Sequence, residues 1–422
     1  MARYASADHH LVKAIEWNPA APAERVNDFL LMSRGCSNSY VITSDAGDVV
    51  INTGTPGETG HRSRFEALLG RPLKVAKVVF TQDHFDHIGG WTHFADPGVE
   101  MFAQAEFPRL CRERAALGAF FAPRGQAVLH ALRPATPPGQ TAHVARDLRE
   151  LPEPLTLFED HHAFEVGGRR FELLSAPSGE TLDSLMVWLP KEKVIFTGNW
   201  MGALYGALPH FYTLRGDRDR SVPNFMRELQ RLIDLQPELL VTGHDEPIRG
   251  AERIRADMTK LLEAIRHIHD ETVKGMAGQK DLWTLMREIQ LPAHLAMAPG
   301  RGPVSWYVRA VYEEYTGWFR HESTTELYGV PARTIWPELA AMAGGPDALA
   351  AKAQARLAAG APVEALHFVE IAVAADLRNR AARLAEIAAL ERLIELTEGR
   401  TFDEIGWLET QIGKAKAAIG DA

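Results

Sequence analysis

The sequence predicts an α/β domain followed by an all-helical domain. From about residue 27 to about residue 250, short runs rich in Val and Ile alternate with turn signals built from Gly, Pro, Asn and Asp. After that point the apolar residues recur at helical spacing instead. We therefore predict a first domain over residues 1–250 and a second, α-helical domain over residues 251–422.

The composition excludes several classes of protein. The chain has 422 residues and a net charge of -9, and it lacks the basic stripe that a nucleic-acid partner requires. No apolar run reaches the roughly 18 residues of a membrane span, and the N-terminus has no signal-peptide pattern, so we predict no membrane span and a cytoplasmic location. The only cysteines, Cys36 and Cys111, form no Cys-x-x-Cys motif. Any metal must therefore be held by His, Asp or Glu.

The first elements of the α/β domain form a compact series. A hairpin is predicted in "SYVITSDAGDVVINTG", with its turn at residues 45–48 and its exit at Asn52. A helix is predicted in "HRSRFEALL". A buried strand is predicted in "KVAKVVF", which delivers Thr81 and the residues after it to the edge of a sheet. Sites are commonly built at such strand ends.

The same pattern of strand, turn and strand returns twice before residue 250. One turn is predicted at Gly167–Gly168 in "PLTLFEDHHAFEVGGRRFELLSAPSGE", and another at residues 190–193 in "SLMVWLPKEKVIFTGNW". A helix, a short strand and a loop with His244 follow in "RELQRLIDLQPELLVTGHDEPIRG". Four strand exits thus carry polar residues suited to a metal or a substrate, and this coincidence is the main functional signal.

Helical spacing dominates the second domain. It begins in "AERIRADMTKLLEAIRHIHDETVKG" and continues through residues 344–419. An aromatic group between these segments is expected to form core or dimer contacts rather than a substrate wall. Its members are Trp306, Tyr307, Tyr312, Tyr315, Trp318 and Phe319.

The loop "TQDHFDHIGGW" is the strongest local motif. Because an extended backbone alternates side-chain directions, we expect His84 and Asp86 to share a cavity and His87 to turn in beside them before the two glycines. Imidazoles and a carboxylate are zinc ligands. In an alternative interpretation, Asp86 caps a helix that begins near residue 89. Asp83 is an alternative ligand that should point away from His84.

His161 and His162 form a second histidine pair. Adjacent residues of a strand face opposite sides, so we interpret the two as an ordinary surface pair and not as metal ligands.

The loop "TQDHFDHIGGW" resembles the signature of the metallo-β-lactamase fold superfamily. The segments "SGETLDSL", "FTGNW" and "VTGHDEP" follow in the order that this superfamily uses. The resemblance implies a metallo-β-lactamase αββα sandwich over the first domain. A Glu in the third loop, the segment "HFYTLRG" and the helical stretch "VSWYVRAVYEEYTGWFRHESTTEL" are similar to the alkylsulfatases of this superfamily. In that family the helical domain dimerises the enzyme, so the resemblance implies a homodimer.

The resemblance also implies two metal positions. The second metal position inherits Asp86, His87 and His244, and the first metal position has the ligand set Gln82, His84, Glu180 and Asn199. A glutamine oxygen is a weaker zinc ligand than imidazole, and Asn199 removes a negative charge expected between two dications. The second metal position should fill first. We expect one or two zinc ions, with manganese or iron left open.

The implied activity is that of a metal-dependent hydrolase acting on an organic sulfate or related small-molecule ester. Metal-bound hydroxide would be the nucleophile. Arg215 is expected to clamp the sulfate, with Tyr212 and Thr213 as hydrogen-bond donors, and His210 to be the general acid. Arg215 could instead pair with Asp217 or Asp219 on the surface, and His210 could be a solvated loop residue.

Other functions stay open at this point. The scaffold also suits a lactonase, a β-lactamase-like enzyme or a phosphoesterase. A non-catalytic binding protein with a degraded metal site is the alternative from another class. The chain stops where many alkylsulfatases continue into a sterol-carrier-like domain, so long-chain detergent sulfates are less expected as substrates.

Overall fold

The computed structural model describes residues 4–14, 21–56, 60–132, 151–152, 154–201, 204–216 and 220–420. The chain divides into two compact units. The sandwich unit comprises His10–Gly125 and Leu132–Tyr312. The helical unit comprises Met1–His9, Gln126–Ala131 and Glu313–Ala422.

Two mixed sheets form the centre of the sandwich unit. The first sheet consists, in spatial order, of β1 (Glu24–Arg25), β2 (Leu30–Ser33), β3 (Ser39–Ile42), β4 (Asp48–Ile51), β5 (Val75–Val79), β6 (Glu100–Gln104) and β7 (Leu155–Phe158). The second sheet contains β8 (His161–Val166), β9 (Arg169–Ser175), β10 (Leu185–Leu189), β11 (Val194–Gly198), β12 (Leu239–Thr242) and β13 (Ile248–Arg249), with spatial order from β13 to β8. β4 to β7 run parallel, as do β11 and β12, and the remaining pairs are antiparallel.

Helices cover the outer faces of the sheets and form the helical unit. Those that begin in the sandwich unit are α1 (His10–Ala14), α2 (His61–Leu69), α3 (Phe85–Ile88), α4 (Phe107–Ala116), α5 (Gly118–Leu129), α6 (Val222–Leu235), α7 (Ala251–Ala277), α8 (Leu282–Glu288) and α9 (Val304–Thr316). Those of the helical unit are α10 (Trp336–Met342), α11 (Pro346–Ala358), α12 (Pro362–Ala375), α13 (Arg380–Thr397) and α14 (Phe402–Ala418).

Three apolar layers hold the sandwich unit together. Between the sheets, Tyr40 and Phe196 pack edge to face with ring centroids 5.5 Å apart. Phe65 and Phe107 lie in the layer between the first sheet and its helices. A third layer, which includes Phe225, joins the second sheet to α6, α7 and α9. The predicted αββα sandwich is therefore confirmed, and the helical part after it is confirmed as well.

The predicted turns are confirmed by the strand registers. Val166 pairs with Arg169, so Gly167 and Gly168 form a two-residue hairpin with φ of 57° and 72°. This is the left-handed conformation of a type I′ turn. A Cβ on Gly167 would lie 2.3 Å from the Ser44 Cβ, so an alanine would not fit there. The turns at residues 45–48 and 190–193 lie in longer connections, which join β3 to β4 and β10 to β11 as antiparallel neighbours.

One predicted strand is two strands in the structure. The stretch "PLTLFEDHHAFEV" supplies β7 to the first sheet and β8 to the second. The polar pair Glu159–Asp160 lies between them, where the chain leaves one sheet for the other. The predicted helix "HRSRFEALL" coincides with α2, and the predicted strand "KVAKVVF" contains β5.

The change to a helical sequence pattern and the boundary between the two compact units lie at different places in the chain. α7 begins at Ala251, where the sequence pattern changes, but the sandwich unit continues to Tyr312. The reason is the apolar face of α7, because Ile254 and Met258 pack into the core against the second sheet. The assignment of separate roles to residues 1–250 and 251–422 stays a prediction.

The aromatic group near residue 310 does not form one cluster. Tyr307 is buried in the sandwich unit and donates a hydrogen bond to the Leu208 carbonyl at 3.1 Å. Trp318, in the helical unit, is 75% exposed.

Over the described ranges, no helix combines the length and the apolar character needed to cross a bilayer.

Candidate metal centre

The ligand loop follows β5 and is anchored from the neighbouring strand. Asn52, just after β4, adopts a left-handed backbone with φ of 57°. Its side-chain oxygen accepts the Thr81 backbone N–H at 3.0 Å, and its side-chain nitrogen lies 2.9 Å from His87 Nδ1. Asn52 therefore orients His87 Nε2 toward the site. In the sequence, Asn52 is recognisable only as the residue at a strand exit.

The backbone becomes helical earlier than predicted. His84 is extended, with φ of -66° and ψ of 137°, and α3 begins at the next residue. Asp86 and His87 lie inside this short helix, so strict alternation does not determine their directions. The alternative of a helix beginning near residue 89 with Asp86 as its cap is not observed.

Asp86, His87 and His244 converge. His87 Nε2 lies 3.4 Å from Asp86 Oδ2, and His244 Nε2 lies 3.6 Å from the same oxygen. Within the described part of the chain, this is the only group of three or more His, Cys, Asp or Glu side chains whose ligand atoms all lie within 4.8 Å of one another. All three side chains are buried.

A backbone carbonyl orients His244 toward Asp86. Its Nδ1 lies 2.6 Å from the Cys36 carbonyl oxygen, which can only accept a hydrogen bond. Nδ1 therefore carries the proton, and Nε2 presents its lone pair toward Asp86. The loop itself is fixed, since the Asn38 N–H donates to the Gly243 carbonyl at 2.7 Å and the Tyr40 hydroxyl donates to the Thr242 carbonyl at 2.8 Å.

Gly243 has to be a glycine because of the side chains beside it. A Cβ at this position would lie 2.2 Å from Asn199 Oδ1 and 2.8 Å from His87 Cε1. The absence of a side chain thus lets the second sheet approach the ligand loop of the first sheet.

The electrostatics suit a cation at this group. Burial lowers the pKa of His87 from 6.5 to about 4, so its imidazole is neutral at physiological pH. Burial alone would raise the pKa of Asp86, but His87, His244 and His84 outweigh it and the pKa is lowered. The group therefore offers the Asp86 carboxylate, a neutral imidazole at His87 and the Nε2 atom of His244. His87 Nε2 is buried and has no hydrogen-bond partner among the residues described. These donors fit a divalent ion.

The residues of the first metal position, by contrast, form hydrogen bonds with one another or with Arg220. Gln82 Nε2 lies 2.7 Å from His84 Nδ1, and Gln82 Oε1 accepts the Asn199 backbone N–H at 3.0 Å. Glu180 Oε2 accepts from Arg220 Nη1 at 2.8 Å. The structure brings all four predicted ligands together, but it also adds Arg220, which the sequence analysis did not consider.

The predicted substrate-binding residues lie on the segment before Arg220. Arg215 Nη2 is 3.9 Å from Glu180 Oε1, and its side chain is 24% exposed. The alternative partners of Arg215, at positions 217 and 219, lie outside the described residues. The guanidinium of Arg309 lies 5.5 Å from the Tyr212 ring centroid. His210 is only 6% exposed, so the alternative of a solvated loop histidine is wrong.

A buried carboxyl pair lies behind the ligand loop. Asp83 is fully buried and forms an ion pair with Arg114 of α4, as expected for a side chain that points away from His84. Asp183 accepts from the Thr181 hydroxyl at 2.6 Å. Burial and then the neighbouring Asp83 raise the pKa of Asp183 well above 3.8. Asp183 therefore stays protonated to higher pH than an exposed aspartate does.

Asp183→Asn should flatten the pH dependence of stability. The folded protein holds the Asp183 proton more tightly than the unfolded chain, so this contribution is complete below about pH 3.8 and is lost as pH rises through the raised pKa. The asparagine cannot titrate, so the variant should gain in melting temperature relative to the wild type between pH 4 and pH 8. Calorimetry of both proteins over that range measures the difference. A constant difference would contradict the assignment.

His161 and His162 belong to a different part of the sandwich unit. His161 is exposed on β8 with its Nε2 3.8 Å from Glu172 Oε2, whereas the His162 ring packs 5.2 Å from the Phe102 ring. Their opposite directions agree with the prediction of an ordinary pair.

Comparison with known families gives two matches. Residues 33–244 match the family described as the metallo-beta-lactamase superfamily. Residues 284–405 match the family described as alkyl sulfatase dimerisation.

Individual relatives are similar over most of this chain. A linear primary-alkylsulfatase from Pseudomonas sp. is 25% identical over 334 residues, which is 73% of this chain and 61% of that protein. An (R)-specific secondary-alkylsulfatase from Pseudomonas sp. is 25% identical over 389 residues, which is 86% of this chain and 58% of that protein. The chain thus spans about three fifths of the length of these relatives.

A solved structure has the same fold. The stereoselective inverting sec-alkylsulfatase Pisa1 from Pseudomonas sp. superposes with a TM-score of 0.77 at 22% identity. The superposition covers 95% of this chain and 66% of that chain.

Proposed function

The chain belongs to the metallo-beta-lactamase superfamily, and from that premise we propose that it is a metal-dependent hydrolase of organic sulfate esters. The observation that carries the proposal is the buried group of Asp86, His87 and His244, whose ligand atoms converge from two sheets. Four relatives named as alkyl or aryl sulfatases support sulfate esters as the substrate class.

Asp86, His87 and His244 would hold the metal. A divalent ion bound there supplies Lewis-acid activation of water and polarisation of the ester. Two imidazoles and one carboxylate favour a borderline ion, so we propose zinc, with manganese and iron as outcomes that metal analysis would distinguish.

Arg215 would bind and orient the sulfate group. Its guanidinium extends toward Glu180 while a quarter of the side chain stays exposed. The planar fork of a guanidinium matches two oxygens of a tetrahedral anion, and charge-assisted hydrogen bonds of this kind are the strong ones. The hydroxyl groups of Tyr212 and Thr213, on the same segment, would add neutral donors.

His210 would hold the proton for the leaving alkoxide. It is buried, and Arg220 Nη1 donates to its backbone carbonyl. A buried imidazole close to a binding site for an anion is suited to proton transfer near neutral pH.

The helical unit supports a homodimer as the proposed assembly. Most of the match to the alkyl sulfatase dimerisation family lies in this unit. Apolar side chains there are well exposed, among them Trp318 at 75%, Tyr328 at 67% and Met342 at 84%. Light scattering after gel filtration would give the mass of the assembly.

The cytoplasmic location stays a prediction for cell fractionation to test.

The function is tested with purified protein and alkyl sulfates of increasing chain length. Release of inorganic sulfate, measured by ion chromatography, is expected for at least one ester. Arg215→Gln should raise KM by about 10- to 100-fold, since a hydrogen bond to a charged group contributes about 1.5–3 kcal/mol. Hydrolysis of lactones, β-lactams or phosphate esters without any sulfatase activity would overturn the proposal in favour of another superfamily reaction.

A further inference from the structure

Gln82 is fully engaged within the protein. Its side-chain oxygen accepts the Asn199 backbone N–H at 3.0 Å, and its side-chain nitrogen lies 2.7 Å from His84 Nδ1. Gln82 is 1% exposed, so water does not compete for either contact. The oxygen that would bind a metal is therefore directed at the backbone of the neighbouring strand exit.

Glu180 is engaged by a buried cation. Arg220 Nη1 lies 2.8 Å from Glu180 Oε2, and the side chains of the two residues are 1% and 9% exposed. The same nitrogen donates to the His210 carbonyl, which fixes the guanidinium on both sides. A buried ion pair with this geometry is costly to break, because removal of one partner leaves an uncompensated charge.

The single carboxylate at the first metal position already has cationic partners. Gln82 and Asn199 are neutral, and the single carboxylate of Glu180 is matched by Arg220. Arg215 Nη2 lies 3.9 Å from the other oxygen of Glu180. A dication placed beside these two guanidinium groups would meet repulsion and a carboxylate that is already paired. Asp86, in contrast, has His87 Nε2 at 3.4 Å and His244 Nε2 at 3.6 Å from its Oδ2.

We infer that Arg220 takes the place of the first metal ion, so that each chain binds one divalent ion, held by Asp86, His87 and His244. Arg220 is a positioning residue in this arrangement, because it acts by holding Glu180. The inference rests on the proposed function only for the second metal position, and it departs from the two-metal set that the family resemblance implies.

The test is the number of zinc ions per chain, measured by plasma mass spectrometry after loading with excess zinc and gel filtration. The wild-type protein should hold one ion. Gln82→His should also hold one, because the Arg220–Glu180 pair persists. The double variant Gln82→His with Arg220→Gln should hold two, since it frees Glu180 and restores an imidazole. Arg220→Lys, which keeps the charge, and Arg253→Gln, at an exposed arginine, should each hold one.

The outcomes separate this inference from the proposed function. Two ions in the wild-type protein, or two in Gln82→His alone, would overturn the inference even if sulfate esters are cleaved. One ion in the wild type and two in the double variant would support it even if no sulfatase activity is found. No bound zinc in the wild type would overturn both. Thermal unfolding of each variant identifies any variant that fails to fold. If the double variant fails to fold, Arg220→Lys is compared with Gln82→His instead.

Discussion

His244→Ala should remove the bound metal and lower kcat by at least about 1000-fold. The variant loses one of three ligands, and a bound divalent ion contributes several kcal/mol to the reaction. The remaining pair, Asp86 and His87, lies in the first sheet's ligand loop and cannot enclose an ion alone. Zinc content and sulfate release, measured on the same preparation, check both parts of the expectation.

His161→Ala is the matched control for the loss of a histidine. His161 is exposed on β8 and has no role in the site, so zinc content and kcat should match the wild type. Turnover at the wild-type rate in His244→Ala would rule out the metal-dependent mechanism. Loss of zinc with unchanged binding of a non-hydrolysed ligand would instead favour the binding-protein alternative.

Arg114→Met should destabilise the protein by about 3 kcal/mol or more near pH 8. Arg114 is the cation paired with the fully buried carboxylate of Asp83. Methionine keeps much of the side-chain volume but removes the charge, and breaking a buried pair typically costs about 3–5 kcal/mol. Urea unfolding near pH 8 measures the change.

Arg112→Met is the control for this substitution. Arg112 lies on the same helix, α4, but it is exposed, so its replacement should change stability by less than about 0.5 kcal/mol. Equal losses for the two variants would mean that helix α4, and not the ion pair with Asp83, is responsible.

The elements with strong local signals were predictable. The two-residue turn at Gly167–Gly168 has the residues that a type I′ hairpin requires, and α2 coincides with the helix predicted from "HRSRFEALL". The break between β7 and β8 was not found, because it consists of only two polar residues, Glu159 and Asp160, within a continuous strand pattern. Which sheet a strand joins depends on contacts far along the chain.

The residues of the candidate metal centre carry a signal in the sequence, but the groups that orient them do not. The motif around His84, Asp86 and His87 is local in sequence, so the residue types alone point to a metal. Asn52 and the Cys36 carbonyl orient the imidazoles through tertiary contacts, and a backbone carbonyl has no sequence signature at all. These supporting groups are visible only in the folded chain.

Arg220 illustrates the same difference for the first metal position. In the sequence it is one of several arginines in "YTLRGDRDR", and spacing alone does not distinguish it from Arg215. The fold brings Arg220 against Glu180 and leaves Arg215 farther away, at 3.9 Å. In our inference, whether a metal binds beside Gln82 thus depends on the charge of Arg220, a residue far along the chain.

The hydrogen bonds that fix the His244 loop have a consequence for how metal enters the protein. Asn38 and Tyr40 of the first sheet already hold Gly243 and Thr242 in place through protein contacts alone. Metal uptake should therefore require little ordering of the chain, unlike small zinc modules that fold only when the ion binds. A chelator should then extract the ion from a protein that stays folded, and returning zinc should restore the centre without a refolding step.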